Sequence, residues 1–353
     1  MKSKIILAVL ALVFVVILYK YSPYITLFWQ QTERTINDEE KYFYVRTGTT
    51  LDELEKKLKS EGIIAENSAF LKIAAYKKLG DKQIGAGKYL IKKKHKVSHL
   101  VNGFMLNVLG NGNGEVEVQV TFNNCRDLQE MAGRVSKFIE ADSLTIIRLL
   151  EREETLKQYG FDNQTFSSMF IPNTYNMFWD TDAEQFVTRM ADEFKRFWTP
   201  ARIEKARTMN LSQSKVVTLA SVVYAEQSLA RDEWPIIAGL YLNRLAIGMK
   251  LQSDPTFKFC WGRDLNNNRR LYNKHREIDC PYNTYLYYGL PPGPINLPPA
   301  SCVDAALNYK KHDYTFMCAQ ANNSGKHNFT NNYEVHQKNA EAFQKWMDER
   351  GIR

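Results

Sequence analysis

Hydrophobic and polar positions divide the chain into three stretches. Ile5 to Tyr19 is an unbroken apolar run, IILAVLALVFVVILY. It falls short of the roughly 20 residues that span a bilayer, and Tyr21 to Trp29 extends it with apolar and interfacial aromatic residues. Bulky Tyr19, Lys20 and Tyr21 stand where a signal peptidase would need small residues, so the pattern predicts an uncleaved transmembrane helix over residues 5–25. Lys2 and Lys4 precede it, which places residues 1–4 in the cytoplasm. A polar tether over residues 26–41 leads to a small region, residues 42–105. There, Tyr42 to Val45 reads as a strand, Leu51, Leu54 and Leu58 form a helical stripe closed by Gly62, Ser68 to Leu79 is a second helix, and Gly87 to Ile91 is a second strand.

The Gly/Asn-rich stretch Met105 to Gly114 is a domain break, and a larger region follows over residues 115–353. Glu115 to Phe122 alternates strictly, as a half-buried strand does. Helical spacing recurs at Leu128–Ile139, Ser143–Leu156, Ala183–Phe197, Pro200–Thr208, Thr218–Leu229, Trp234–Leu245 and Glu334–Arg350, with short apolar strands at Thr315–Ala319 and His327–Phe329. Helices and strands are segregated rather than alternating, so the fold class is α+β.

Composition narrows the chemistry. The 353 residues carry a formal charge of +8, partly gathered in Lys77–Lys96, and no nucleic-acid-binding signature accompanies the excess. Five cysteines occur without a CxxC pair, which excludes the usual zinc spacings. Cys260 and Cys280 bracket the polar segment Arg263–Glu277, and a bridge between them would suit an oxidising compartment. That segment could also reach over a groove as a flap. No Gly-rich phosphate loop or metal cluster appears, so no cofactor is expected.

One acid stands out. In the helix Thr218–Leu229, residues Leu219, Val222, Val223 and Leu229 are spaced to share a face with Glu226. Burial raises the pKa of a carboxyl, and one that keeps its proton near neutral pH can act as a general acid. The plainer alternative is a helix-edge glutamate paired with Arg231 or Arg244. Glu233 competes as an acid, but its place beside Trp234-Pro235 suits a cap or a surface position.

Several separated motifs follow Glu226 in order: Gln252-Ser-Asp254-Pro255, Pro281-Tyr-Asn-Thr-Tyr285, Gly289-Leu-Pro-Pro-Gly-Pro294 and His327-Asn-Phe329. With Glu226 and the segment FSSMFIPNTYNMF at Phe166–Phe178 they resemble the YceG-like family of endolytic murein transglycosylases. The resemblance implies a lyase that breaks the β-1,4 bond between N-acetylmuramic acid and N-acetylglucosamine without water. Glu226 would protonate the leaving oxygen, the C6 hydroxyl would close a 1,6-anhydro ring, and the same carboxylate could take the C6 proton. Gln252, Asp254, Asn283, Tyr285 and His327 would bind substrate. The strand–helix–helix–strand order opening on VRTGTTL similarly resembles a LysM-like glycan-binding module. The resemblance further implies a single-pass inner-membrane enzyme with its catalytic domain in the periplasm. It would cut nascent strands and terminate their elongation, with peptidoglycan synthases as partners. The rivals are a non-enzymatic, membrane-anchored wall-binding protein and a hydrolase using Asp254 as base. Within the family's E-x-E pattern, Tyr224 replaces the earlier acid.

Overall fold

The structure is a computed structural model that describes residues 32–107, 110, 112–265 and 273–351, with isolated positions 13, 15–17, 19, 20 and 22. Among the described residues no helix is long and apolar enough to cross a membrane. The run on which the transmembrane expectation rests lies mostly outside them, as does part of the segment expected to form a flap.

The chain divides into two compact units. The first holds the described residues up to Gln119 with Phe138–Glu140 and Asn176–Thr181. Its strands β1 (Lys41–Val45) and β2 (Gly87–Ile91) pair antiparallel, Phe43 opposite Tyr89. Between them run helices α1 (Leu51–Ser60) and α2 (Phe70–Tyr76). Thr50 starts α1 through a reciprocal capping box with Glu53, which satisfies two otherwise unpaired backbone donors. Helix α3 (Val97–Phe104) closes the unit and was not legible as a separate period in the sequence. Phe43, Leu54, Leu58, Phe70, Ile73, Tyr89 and Phe104 form its core, each at most 2% exposed. The expected strand–helix–helix–strand order is therefore present, with a helix added.

The second unit comprises Val120–Lys137, Ala141–Tyr175 and the described residues from Asp182 onward. Strands β3 (Val118–Phe122) and β4 (Asn173–Met177), of which Val120–Phe122 and Asn173–Tyr175 fall in this unit, pair as a two-stranded sheet. Thr121 and Thr174 share a hydroxyl–hydroxyl hydrogen bond across it, 2.8 Å. Helices α4 (Leu128–Val135), α5 (Ser143–Leu150) and α6 (Glu153–Tyr159) follow β3. The sequence period suggested one helix where α5 and α6 stand. After β4 come α7 (Ala183–Phe197) and α8 (Pro200–Thr208), capped by Asp182 and Thr199.

Helix α9 (Gln213–Glu226) is the axis of this unit. Val216 through Val223 are all buried, so the helix is enclosed on every side. Packed around it are α10 (Trp234–Ala246), α11 (Asp254–Trp261) and α12 (Ala300–Leu307). The antiparallel pair β5 (Phe316–Ala319) and β6 (His327–Thr330) and the helix α13 (Tyr333–Glu349) complete it. Cys260 and Cys280 are joined in a disulfide that closes the polar loop between them.

Candidate active site

Helix α9 ends on Glu226 itself, three residues earlier than its spacing suggests. Gln227 ends it. The side-chain oxygen of Gln227 accepts hydrogen bonds from the backbone N–H of Leu229 (3.1 Å) and Ala230 (2.9 Å), which draws the chain into a turn. Leu229 consequently leaves the apolar face and is 82% exposed. Leu219, Val222 and Val223 stay in the core as the pattern indicated.

Neither Arg231 nor Arg244 pairs with Glu226. Its Oε1 accepts two hydroxyl donors instead: Tyr241 from α10 at 2.7 Å and Ser253 at 2.5 Å. Its Oε2 takes no hydrogen bond from any described residue, and it is not among the buried atoms lacking a partner. Glu226 as a whole is partly exposed, yet its carboxyl is enclosed closely enough for desolvation to dominate. Burial pushes the acid above its ordinary value, the Ser253 and Tyr241 hydroxyls pull it back, nearby Asp254 pushes it up, and His327 opposes Asp254. With Oε1 committed to accepting, the proton belongs on Oε2. The geometry is that of a general acid with one working oxygen.

Arg244 has a supporting task. Its guanidinium donates to the carbonyls of Leu251 (2.6 Å) and Thr315 (2.6 Å), fixing the loop that delivers Ser253. Gln252 sits in a left-handed conformation, φ +48°, which turns the chain so that the buried Ser253 faces inward and Gln252 outward. The backbone N–H of Ser253 donates to Thr284 Oγ1 at 3.0 Å, and Gln252 N–H to the Thr284 carbonyl at 3.1 Å. The segment 281–285 therefore braces the loop beneath Glu226.

The expected substrate-binding residues separate into four placements. Gln252 is exposed beside the acid. Asp254 accepts from the Tyr285 hydroxyl at 2.5 Å and faces the Arg276 guanidinium at 3.4 Å, so both Asp254 and Tyr285 hold the start of α11. Asn283 is fully buried, and its amide donates to the carbonyls of Arg276 (2.9 Å) and Ile278 (2.8 Å). Asn283 thus shapes the loop from inside and is not on a groove wall. His327 lies on β6 with its Nδ1 2.8 Å from Glu233.

Glu233 departs from its expected cap or surface role. It is 4% exposed and makes no capping bond. Its oxygens accept from Gln227 Nε2 (2.9 Å), the His327 backbone N–H (2.9 Å) and His327 Nδ1. Tyr241 and Ser253 were the positions around the acid that sequence reasoning missed, while Glu233 was named there but misplaced. Ser253 stood between two residues that were singled out.

A cavity of about 460 Å³ opens beside the end of α9. Its walls include Ala225, Pro255, Arg126, Lys258, Phe259 and Asn296. Among the described residues no cluster of His, Cys, Asp and Glu could hold a metal ion.

The sequence pattern of the YceG-like family matches residues 43–342. The chain belongs to the YceG-like family. It is 27% identical over 314 residues to the endolytic murein transglycosylase of Bacillus subtilis strain 168, covering 85% of this chain and 83% of that protein. To the endolytic murein transglycosylase of Streptococcus pneumoniae strain D39 it is 28% identical over 198 residues, which is 55% of this chain and 34% of that one. The chain thus spans about a third of that longer relative. A crystal structure of a yceG-like protein from Listeria monocytogenes has the same fold, with a TM-score of 0.55 at 24% identity over 86% of this chain and 99% of the other. Glu226 is the last residue of α9, and Tyr224, two residues earlier, is occupied elsewhere: its hydroxyl donates to the Asn124 side chain.

Proposed function

We propose that this YceG-like chain is an endolytic lytic transglycosylase of murein in which Glu226 is the acid. One observation carries the reading. The Glu226 carboxyl is raised by burial and held by two hydroxyls on Oε1, so Oε2 is left to protonate a glycosidic oxygen. The murein transglycosylases named above support the substrate class. The bond cut is that between N-acetylmuramic acid and N-acetylglucosamine, and the C6 hydroxyl of the muramoyl unit closes on C1 to leave a 1,6-anhydro end.

Hydrolysis would need a second carboxylate free to activate water, about 5 Å from the acid for retention or farther for inversion. Asp254 is engaged by Tyr285 and Arg276, which weighs against that role. On this reading Gln252, which is exposed, and His327, whose side chain is partly exposed, are the expected residues that meet the glycan.

The same reading extends to the rest of the chain. Residues 5–25 anchor it in the inner membrane, and the Cys260–Cys280 bridge accords with a periplasmic catalytic unit. The first unit, a two-stranded antiparallel sheet with helices, acts as a LysM-like module that holds glycan. Tethering sets the enzyme beside strands still being made, where it terminates elongation alongside peptidoglycan synthases.

The test is mass spectrometry of purified peptidoglycan digested by the detergent-solubilised full-length chain and by its Glu226→Gln variant. Products with 1,6-anhydro ends are expected, reduced about 10²- to 10⁴-fold or more in the variant. Reducing ends alone would mean a hydrolase. An unimpaired variant would remove Glu226 from the mechanism.

A further inference from the structure

Beside Glu226 lies a second carboxylate-bearing arrangement that the mechanism above does not use. Gln227, next in the chain to the acid, donates from Nε2 to Glu233 Oε2 at 2.9 Å and to the Gly325 carbonyl at 2.7 Å. The backbone carbonyl of Gln227 accepts from Trp234 Nε1 at 2.5 Å, which locks the turn between α9 and α10. Glu233, at the foot of α10, receives the backbone N–H and the ring Nδ1 of His327. The acid and the β5–β6 hairpin are thereby tied together through three consecutive side chains.

The Glu233 carboxylate takes up Nδ1 of His327 as donor, which leaves Nε2 as the ring nitrogen free to exchange a proton. Among the described residues nothing bonds to Nε2, and it is not sealed from solvent, the side chain being 15% exposed. A buried carboxylate that holds Nδ1 and leaves the other ring nitrogen unbonded is the arrangement of a general base. When it carries a proton, the ring stands near enough to Glu226 to stabilise the carboxylate there.

We propose that His327, oriented by Glu233, accepts the C6 hydroxyl proton as the 1,6-anhydro ring closes. The proposal rests on the transglycosylase reading and assigns the second proton transfer to a group other than Glu226. In the balanced step the C1–O4 bond breaks and O4 takes the proton of Glu226 Oε2. The C6 oxygen bonds to C1, and its proton passes to His327 Nε2. The resulting imidazolium is stabilised by Glu233, then loses its proton to solvent while Glu226 regains one, so no net proton is consumed. Glu233 and Gln227 are positioning residues here, since neither meets the sugar.

The experiment compares the ratio of 1,6-anhydro to reducing ends made by the wild-type full-length chain and by His327→Ala, Glu233→Gln and Glu226→Gln. Without His327 the acid still cleaves, but the C6 hydroxyl is no longer deprotonated in place and water competes for C1. Total cleavage should fall about 10²-fold or more, and the share of reducing ends should rise several-fold. Added imidazole should restore the anhydro share in His327→Ala, whose truncated side chain leaves room for it. A loss of cleavage at an unchanged product ratio, with no response to imidazole, would assign His327 a structural role and overturn the proposal. Glu233→Gln keeps the size of the side chain and should reproduce the shifted ratio in milder form. A wild-type enzyme that makes only reducing ends would instead overturn the transglycosylase reading on which the proposal rests.

Discussion

Tyr241→Phe tests the electrostatics of the acid most directly. Tyr241 is 1% exposed, so losing its hydroxyl leaves the core packing intact and takes one of two donors from Glu226 Oε1. A hydrogen bond to a charged group is worth about 1.5–3 kcal/mol, against about 1 kcal/mol for a neutral one. The donor serves both states of the acid but favours the carboxylate, by a difference of about 0.5–2 kcal/mol. At about 1.36 kcal/mol per pKa unit, the carboxyl should rise by about half a unit to one and a half units. Glu226 must be protonated to act, so the alkaline limb of the kcat/KM profile should move to higher pH by that amount. The assay is the initial rate of anhydro-end formation by the full-length chain across a pH series. Ser253→Ala should shift the limb the same way, because its hydroxyl is the stronger restraint on the carboxylate. A limb that stays fixed, or moves to lower pH, would refute the claim that these hydroxyls hold the acid down.

Three further outcomes follow from the same contacts. Glu226 has a folded-state pKa above its ordinary 4.5, so below that pH both states are protonated, and at higher pH the unfolded chain ionises first and wild-type stability falls. Glu226→Gln should therefore melt higher than wild type at neutral pH in calorimetry, with the gap closing as pH drops towards 4.5; a gap that widens on acidification would reverse the sign argued here. At Gly293 a Cβ would lie 1.8 Å from the Gln164 carbonyl oxygen, so Gly293→Ala must shift backbone. Overpacking of this kind typically costs about 1–3 kcal/mol, or about 2–12 °C in Tm for a unit of this size. Cys280→Ser opens a loop of 20 residues and should lower stability by about 3 kcal/mol, a loss that reductant reproduces in the wild type and leaves unchanged in the variant.

Much of the fold was legible because its elements carry local signals. The β2 strand, α7 and α8 fall where periodicity puts them, and α7 and α8 begin at side-chain caps, Asp182 and Thr199. The end of α9 was not legible. No Gly or Pro marks it, and the terminator is the Gln227 side chain bonding its own neighbours, a contact that does not announce itself in composition. Asn283 misled for a related reason. An asparagine in a Tyr/Pro-rich loop suits a sugar-binding wall, but the surrounding backbone has carbonyls to satisfy, and the amide satisfies two of them. Tyr241 reads as one more apolar position of α10, and nothing in its own helix indicates that its hydroxyl meets an acid 15 residues earlier.

Placing the acid on the last residue of α9 has an energetic sense of its own. The C-terminal end of a helix carries partial negative charge, which disfavours a carboxylate there by about 0.3–1 kcal/mol. Burial and the neighbouring Asp254 act in the same direction. Were these the only influences, Glu226 would hold its proton too firmly to give it to a glycosidic oxygen. Tyr241 and Ser253 supply the counterweight, and both bind the oxygen that does not react. The proton is therefore confined to Oε2 while its acidity is set through Oε1, so affinity and direction are controlled by different atoms of one group. That separation requires Ser253 to be held inward, which is what the left-handed turn at Gln252, the Arg244 anchor and the Thr284 brace accomplish together. On this account the downstream QSDP and PYNTY segments act on the chemistry mainly by building the support for a single oxygen atom.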